Sequence, residues 1–530
     1  MRAGNVAASQ GESGPGVLRL NLLSRLEDYA PLFLTVTLVL WILILFGASF
    51  YKYETLGQGY DQVDFEQAIW NTTQGRIAED SRFNFTGSVF GMDWMPMLLF
   101  FVPFYALLPS AHTLFFLQIV GAAVGAIPVY WLARDRLGSK VVGYCAALVF
   151  LLYPTLLHTA LNPFQVRIFS VSLLLFAFYY FEKHNWYLFS ACSLLALLAR
   201  TDVALVVAMF GIYGLLTGRK WPYVFPPLLV GFVYFALSTF VIVPSFAYPG
   251  ALGGAGGAVD MSCWPCGINP IVAYYGHLGS SGGKIMGYIL THPLEVAGLM
   301  FTTDKVGYML SLLVPLLFLP LLSPRPLVLG LPILALNLLS LRPAQFDYEH
   351  HYSLLLIPGL IVSAIYGADN LRRFLLRRNS SARWPAKRQV IVGGMVAVAW
   401  ALVMQVPYKN PAVRALLYPE PPQRVAAAHE LIAMVPRDAK VAASSKLAPR
   451  LLPRQYIYNF PPAPYSPYNF GPRQAPNFVD LDYILVDPRA SALPYEDNKI
   501  GEKTGLELLR ELPEWTQVAD REGFLLFRRQ

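Results

Sequence analysis

Long apolar runs separated by short polar junctions make up most of the first 407 residues. The first run, "APLFLTVTLVLWILILFGASF", follows a polar start over residues 1–30. It is long enough to cross a bilayer as a helix and lacks the small-residue cleavage site of a signal peptide, so a retained first span is expected over 31–50. Further runs near 111–133, 141–158, 168–181, 185–199, 203–217, 223–243, 306–322, 326–341, 353–368 and 389–407 predict about eleven spans in all. Between the first two lie "YDQVDFEQAIWN" (60–71) and the proline-interrupted "GMDWMPMLLFFVPFYALLPS" (91–110). The second reads as an interfacial or re-entrant helix, with Asp93 and Trp94 at its start.

After residue 408 the pattern changes to charged, proline-rich sequence with short β-like runs: "KVAASS", "QYIYNF", "DYILVD" and "EGFLLFRR", preceded by the helix-like "PQRVAAAHELIAMV". These predict a small α/β domain over 408–530. The chain is thus expected to be an all-α polytopic membrane bundle (31–407) carrying a C-terminal α/β domain. Composition agrees: of 530 residues 55% are hydrophobic and 14% charged, which excludes an ordinary soluble protein.

Lys and Arg fix the orientation. Arg134, Arg136, Lys140, Lys183, Arg219, Lys220, Arg325 and the run "NLRRFLLRRNSSARWPAKR" (370–388) fall in one set of loops. That set is cytoplasmic, as is the N-terminal segment 1–30. The loop 51–95, the junctions near 158–167, 200–202 and 342–352, the segment 244–305 and the tail face outward. The net charge of +8 is largely this bias and does not argue for nucleic acid. The expected location is the plasma membrane.

Four cysteines are too few for a disulfide scaffold; Cys145 and Cys192 sit in apolar runs, and "CWPC" (263–266) lies in an outer loop where a local disulfide can form. The glycine-rich 250–260 lacks the strand-to-helix setting of a phosphate cradle. "NTT" (71–73) and "NFT" (84–86) are outward-facing sequons.

Candidate chemistry gathers at the outer ends. Asp61, Asp64 and Glu66 lie within six residues beside aromatic and apolar neighbours, as on a helix lying in the membrane interface. A carboxylate against such a surface has a raised pKa and can act as a general base. The plain alternative is a solvated loop. "LLARTDVAL" puts Arg200, Thr201 and Asp202 between two apolar runs, where ionisable groups either pair or work. They read either as a local Arg200–Asp202 ion pair or as an arginine aimed at a phosphate. "LHTALNPFQVRIF" adds His158, Asn162, Gln165 and Arg167, which alone read as caps or anchors. "FDYEHHYSLLL" adds Asp347, Glu349, His350, His351 and Tyr352, whose spacing fits no standard zinc pattern.

In their order, "YDQVDFEQAIWNTTQGR", "PFYALLPSAHTLFFLQ", "LLYP", "LLARTDVAL", "HHYSLLLIP", "VAASSKLAPRLLPRQYIYNFP" and "DYILVD" resemble a family of multi-spanning proteins catalogued as domain of unknown function 2079 (DUF2079), which belongs with the GT-C glycosyltransferases. The resemblance implies a GT-C-like helical bundle with its N-terminus inside, whose acidic first outer loop supplies the catalytic carboxylate, and a donor sugar carried on polyprenyl phosphate. Asp61 matches the family's leading Asp. Glu66 stands where a second Asp is usual, Asp93 where the pattern has His, Gln165 and Arg167 in place of a His-Pro-Glu stretch, and Arg200-Thr201 in place of Lys-Glu. If the usual His and Glu hold a metal or sugar, these changes imply a changed substrate or lost activity, and they leave a divalent metal open.

The expected activity is transfer of a sugar from a polyprenyl-phosphate donor to a glycan, lipid or protein acceptor on the outer face. The expected catalytic residues are Asp61, Asp64 and Glu66. Substrate contacts are expected from Asp93, Trp94, Gln165, Arg167, Arg200, Asp202, His350, His351 and Tyr352. The rival readings are a transporter or flippase of a lipid-linked substrate, and a non-catalytic membrane assembly protein.

Overall fold

The computed structural model describes residues 15–81, 87–246, 275–378, 386–460, 481–489, 499–500 and 503–530. The first run forms α1 (Pro15–Glu54), whose apolar part from Arg25 leaves Leu43 and Ile44 open on the face a bilayer would cover. Near its start Glu27 accepts hydrogen bonds from Ser139 Oγ (2.5 Å) and Lys140 N (2.7 Å), which fastens α1 to the turn between α5 (Ala126–Leu137) and α6 (Lys140–Leu151). Next come α2 (Asp61–Thr73), α3 (Val102–Leu107) and α4 (Ala111–Val124). Then follow α7 (Pro154–Leu161), α8 (Arg167–Glu182), α9 (Trp186–Leu197), α10 (Val203–Leu216) and α11 (Phe225–Leu237). A π-helical turn, Ser238–Ile242, leads α11 into α12 (Val243–Ser245).

Helices α10 and α11 meet at small residues. A Cβ on Gly231 would lie 2.5 Å from Ala204 O, and one on Gly211 2.3 Å from Val224 O, so only glycine permits this approach. The bundle continues with α13 (Gly282–Thr291), α14 (Pro293–Met300), α15 (Thr303–Leu313), α16 (Leu331–Leu339), α17 (Ile357–Arg378) and α18 (Ala386–Val403).

The expectation of about eleven spans is not matched by continuous helices. Among the described residues four helical segments are long and apolar enough to cross a membrane: Arg25–Glu54, Ala111–Leu137, Trp221–Ser245 and His351–Arg378. The pair α6–α7, bent by 54°, makes a fifth. Pro154, at the first position of α7, has no N–H to continue the ladder of α6. Elsewhere prolines divide apolar sequence into 3₁₀ turns, as over Leu319–Leu322 and Arg325–Gly330. Apolar runs such as 186–197, 203–216, 325–339 and 388–403 therefore form helices of only 10–17 residues.

The tail adds α19 (Pro411–Leu417), α20 (Pro422–Ala433) and α21 (Gly505–Glu511). Its strands are β1 (Val441–Ala443), β2 (Ile457–Asn459), β3 (Tyr483–Val486), β4 (Lys499–Ile500), β5 (Lys503–Thr504), β6 (Trp515–Arg521) and β7 (Phe524–Arg529). The four β-like runs read from the sequence correspond to β1, β2, β3 and β7. One sheet runs β2-β1-β3-β7-β6, with β1 parallel to both neighbours and β7 antiparallel to β3 and β6.

Helix α2 is clamped between the bundle and this sheet. Val63 and Tyr60 pack into the tail's core with Leu431, Val441 and Ile457. Tyr60 OH donates to Ile457 O (3.0 Å), and Gln67 Nε2 to Gln455 O (2.5 Å). A bidentate pair, Arg450 to Glu54 at 2.9 and 3.0 Å, ties the end of α1 to the tail. The apolar face of α2, expected against the membrane interface, packs on protein, with Ala68 and Ile69 in the bundle core and Val63 in the tail's core.

Candidate functional site

Three elements that are distant in sequence meet at one pocket. Arg200, Thr201 and Asp202 form the turn between α9 and α10. Arg167 is the first residue of α8. Asp93 follows the 3₁₀ turn Val89–Gly91. Trp94 N donates to Thr201 Oγ1 (3.2 Å), which fixes the first of these loops on the second. Arg200 Nη2 pairs with Asp93 Oδ2 at 2.6 Å; its Nε is 4.0 Å from Asp202 Oδ1, and Asp202 Oδ2 accepts from Arg167 Nη2. Charges thus alternate along Asp93–Arg200–Asp202–Arg167. The local Arg200–Asp202 pair is the weakest contact of the series, while the close pairs are both long-range. Burial pushes the Asp93 carboxyl up against the pull of Arg200.

The buried Arg167 also donates to His351 O (3.2 Å) and lies 5.8 Å from the centre of the Tyr352 ring, as does the guanidinium of Arg342. Around these charges is a pocket of about 150 Å³. Phe235, Val243, Ile333 and Leu336 give it apolar walls, and Thr239, Asn337 and Gln345 add polar atoms. Asn337 and Gln345 did not emerge from the sequence reading, although a lone Asn inside "LPILALNLLSL" is the kind of signal that marks a working polar group in a membrane.

Of the expected substrate contacts, Asp93, Arg167, Arg200, Asp202 and Tyr352 line this pocket. The others stand apart from it. The ring of Trp94 packs on Phe90 and Phe246. Gln165 is buried, with its N–H donated to Gln118 Oε1 (2.5 Å). His350 Nδ1 pairs with Asp347 Oδ2 at 3.0 Å, and the His351 ring lies 4.3 Å from that of Tyr352. Burial alone would raise the Asp347 carboxyl, but His350 and the Glu349 N–H hold it below its usual range. Asn162 and His158 are spent on structure, with Asn162 Nδ2 donating to Glu349 O (3.0 Å) and His158 Nε2 2.9 Å from Tyr408 O.

The α2 carboxylates are not among the residues lining the pocket. They divide by environment. Asp61, at the first position of α2, is exposed, whereas Asp64 and Glu66 are buried. Glu66 accepts from Gln62 Nε2 (3.0 Å) and Tyr105 OH (3.0 Å), both neutral donors. Burial outweighs these bonds and pushes its carboxyl up to about 7. Gln62 in turn receives Phe164 N on Oε1 (2.8 Å), so α2 is anchored to the α7–α8 junction that leads directly to Arg167. Tyr105 escaped the sequence reading because nothing in "PFYALL" marks it as a carboxylate partner.

Among the described residues no three His, Cys, Asp or Glu side chains gather as a metal set. The "CWPC" pair, the glycine-rich 250–260 and the "NFT" sequon lie outside the described residues. Asn71 of the other sequon is fully buried and bonded to Glu79 O and Arg76, so it offers no acceptor amide to a modifying enzyme.

Residues 52–526 match the family described as "Predicted membrane protein (DUF2079)". The chain belongs to the DUF2079 family. No curated protein matches it. Among solved structures, this family member is similar to ArnT from Cupriavidus metallidurans bound to undecaprenyl phosphate, with a TM-score of 0.54 and 11% identity over 93% of this chain and 98% of that one. The same enzyme in its apo state matches with a TM-score of 0.51 and 14% identity over 94% and 97% of the two chains. The likeness runs through bundle and tail together and establishes a shared GT-C fold at low identity.

Proposed function

We propose that the protein is a membrane glycosyltransferase that moves a sugar from a polyprenyl-phosphate carrier to an acceptor hydroxyl on the outer face of the membrane. The observation that carries this reading is the apolar-walled pocket with Arg167 and Arg200 at its polar end. A lipid phosphate needs hydrocarbon on one side and fixed guanidinium groups on the other. The fold shared with ArnT, which has been crystallised with undecaprenyl phosphate, supports the same substrate class.

In this reading the acceptor oxygen bonds the anomeric carbon as the bond from that carbon to the phosphate oxygen breaks. Polyprenyl phosphate leaves with the electron pair, and Arg200 and Arg167 turn from their carboxylate partners toward its developing charge. The acceptor proton goes to Asp61, the exposed carboxylate of the acidic trio. Glu66 and Asp64, being buried, hold α2 in position beneath the tail, which contributes the acceptor-facing side. The bundle 31–407 would carry the donor and the domain 408–530 would cover the site. The clustering of these charges at one end of the bundle favours an enzyme over a transporter, which would place them along a central path.

The test is purified protein in liposomes with a polyprenyl-phosphate sugar, reading the release of polyprenyl phosphate and the labelled product. Wild type should turn over, and Asp61→Asn should lower the rate by about 10²–10⁴-fold. Undiminished turnover in Asp61→Asn removes the proposed base. Movement of intact donor across the bilayer without release favours the transporter.

A further inference from the structure

A second cavity lies on the lipid-facing side between α6, α17 and α18 and shares no lining residue with the candidate site. It holds about 320 Å³ and is almost wholly apolar, lined by Val142 and Cys145 of α6, Ile361 and Ile365 of α17, and Val390 and Gly394 of α18. The lining stripe on α17 runs from Ile361 to Leu375. At 1.5 Å per residue that is about 21 Å, of which the part up to Ala368, about 10 Å, lies in the expected span 353–368 and the rest runs past Asp369 into the basic end.

Its chemistry changes at one end. Arg372 lines the groove there, beside an ion cluster centred on the fully buried Asp369. That carboxylate takes Arg372 Nη2 (2.8 Å), Arg373 Nη2 (2.8 Å) and Arg136 Nε (3.1 Å). One carboxylate thus faces three guanidinium groups, a surplus of two positive charges, and the buried Nε of Arg372 has no hydrogen-bond partner among the described residues. By the Lys/Arg rule this end faces the cytoplasm.

We propose that this groove is a binding site for an anionic phospholipid of the inner leaflet, one acyl chain lying along α17 and the phosphate meeting Arg372 and Arg373. Basic pockets between spanning helices on this side select anionic headgroups, and an acyl chain fills the kind of slot that the three helices leave. The proposal is independent of the glycosyl-transfer reading.

Gly393 supplies a clean test. It lines the groove, and a Cβ there would meet nothing within 4 Å, so a larger side chain occupies the slot without displacing the helices. Full-length protein in neutral detergent is titrated with phosphatidylglycerol or phosphatidylcholine of identical chains, and bound lipid is counted by native mass spectrometry. Phosphatidylglycerol should be preferred by about tenfold or more. Gly393→Leu should abolish its retention while the lipid-free thermal midpoint stays unchanged. Arg372→Gln should erase the headgroup preference and leave chain-dependent binding. Equal retention of both lipids, unchanged retention in Gly393→Leu, or stronger retention of polyprenyl phosphate in the same assay would each overturn the proposal.

Discussion

Carboxylates leave bulk water in two regions of this protein, half-buried in the pocket and fully buried in α2, and they are compensated differently. In the pocket, Asp93 and Asp202 meet guanidinium groups, and the four charges alternate and cancel. In α2, the hydrogen bonds to Glu66 among the described residues come from the neutral donors Gln62 and Tyr105, and the guanidinium of Arg450 acts on it only through space. A guanidinium pulls its partner toward the charged form, although burial still raises the Asp93 carboxyl. Neutral donors in a dry setting leave the proton as the cheapest compensation, so Glu66 becomes a group that titrates near neutrality. Both regions hang on the same junction, since Gln62 binds the Phe164 N–H three residues before Arg167. The lesson is that the acidic trio cannot be treated as one unit. Asp61 is exposed, and Glu66 is buried in the frame.

The largest expected effect tests that division. Asp61→Asn should cost about 10²–10⁴-fold in turnover with no change in thermal midpoint, because an exposed carboxylate contributes little to the fold. Glu66→Gln should do the reverse, keeping turnover within about tenfold and changing the pH response of stability. If Glu66→Gln is the dead variant and Asp61→Asn the active one, the assignment of roles is inverted.

On the pocket side, Arg167→Ala removes the close partner of Asp202 and leaves it facing Arg200 from 4.0 Å. Breaking a buried pair in this way costs about 3–5 kcal/mol, and the loss should be the same at pH 6 and pH 8 because a guanidinium does not titrate there. A loss of under about 1 kcal/mol in detergent unfolding would mean that the alternating charges are not a scaffold at all.

The next effect belongs to Glu66 alone. Its carboxyl lies at about 7 in the folded state against an ordinary 4.5. The folded protein therefore binds the proton more tightly. The contribution is fully present below about 4.5 and is lost as the pH rises through about 7, a change of roughly 3 kcal/mol. Thermal midpoints of wild type should fall across that window, and those of Glu66→Gln should lose this component. Parallel curves for the two proteins would place the proton elsewhere.

How far this was legible follows from the same physics. The tail strands were readable because short apolar, β-prone runs bounded by polar residues are a local signal, and β1, β2, β3 and β7 fall within "KVAASS", "QYIYNF", "DYILVD" and "EGFLLFRR". Arg200 and Asp202 were conspicuous as charges inside apolar sequence. Asp93 and Arg167 were also singled out, but their pairing with Arg200 and Asp202 was not legible, because it arises through tertiary packing that neighbouring residues do not encode. The span count is not matched by continuous helices because hydropathy sums apolar residues and is blind to whether prolines such as Pro154 and Pro320 let them share one helix. The interfacial placement of α2 missed because its buried face was assigned to lipid when a sheet about 390 residues later covers it, as the bond from Tyr60 to Ile457 records.

The smallest effect is also the most discriminating. Tyr105 OH donates to Glu66 Oε1 at 3.0 Å and favours the ionised carboxylate. Tyr105→Phe deletes one donor and keeps the ring that fills the site. The cost should depend on pH. Where Glu66 is protonated the lost bond is neutral and worth about 1 kcal/mol, whereas where it is ionised the lost bond is charge-assisted and worth about 1.5–3 kcal/mol. Losing a donor to the charged form also raises the folded pKa further, so the decline in stability should extend to higher pH in Tyr105→Phe than in wild type. In the pocket, by contrast, Asn337→Leu removes the bond to Tyr308 OH (3.0 Å) with a loss that is flat in pH, since neither partner titrates between pH 6 and 8. A pH-dependent loss in Asn337→Leu, or a flat one in Tyr105→Phe, would mean that neutral and charged compensation are not divided between the two regions.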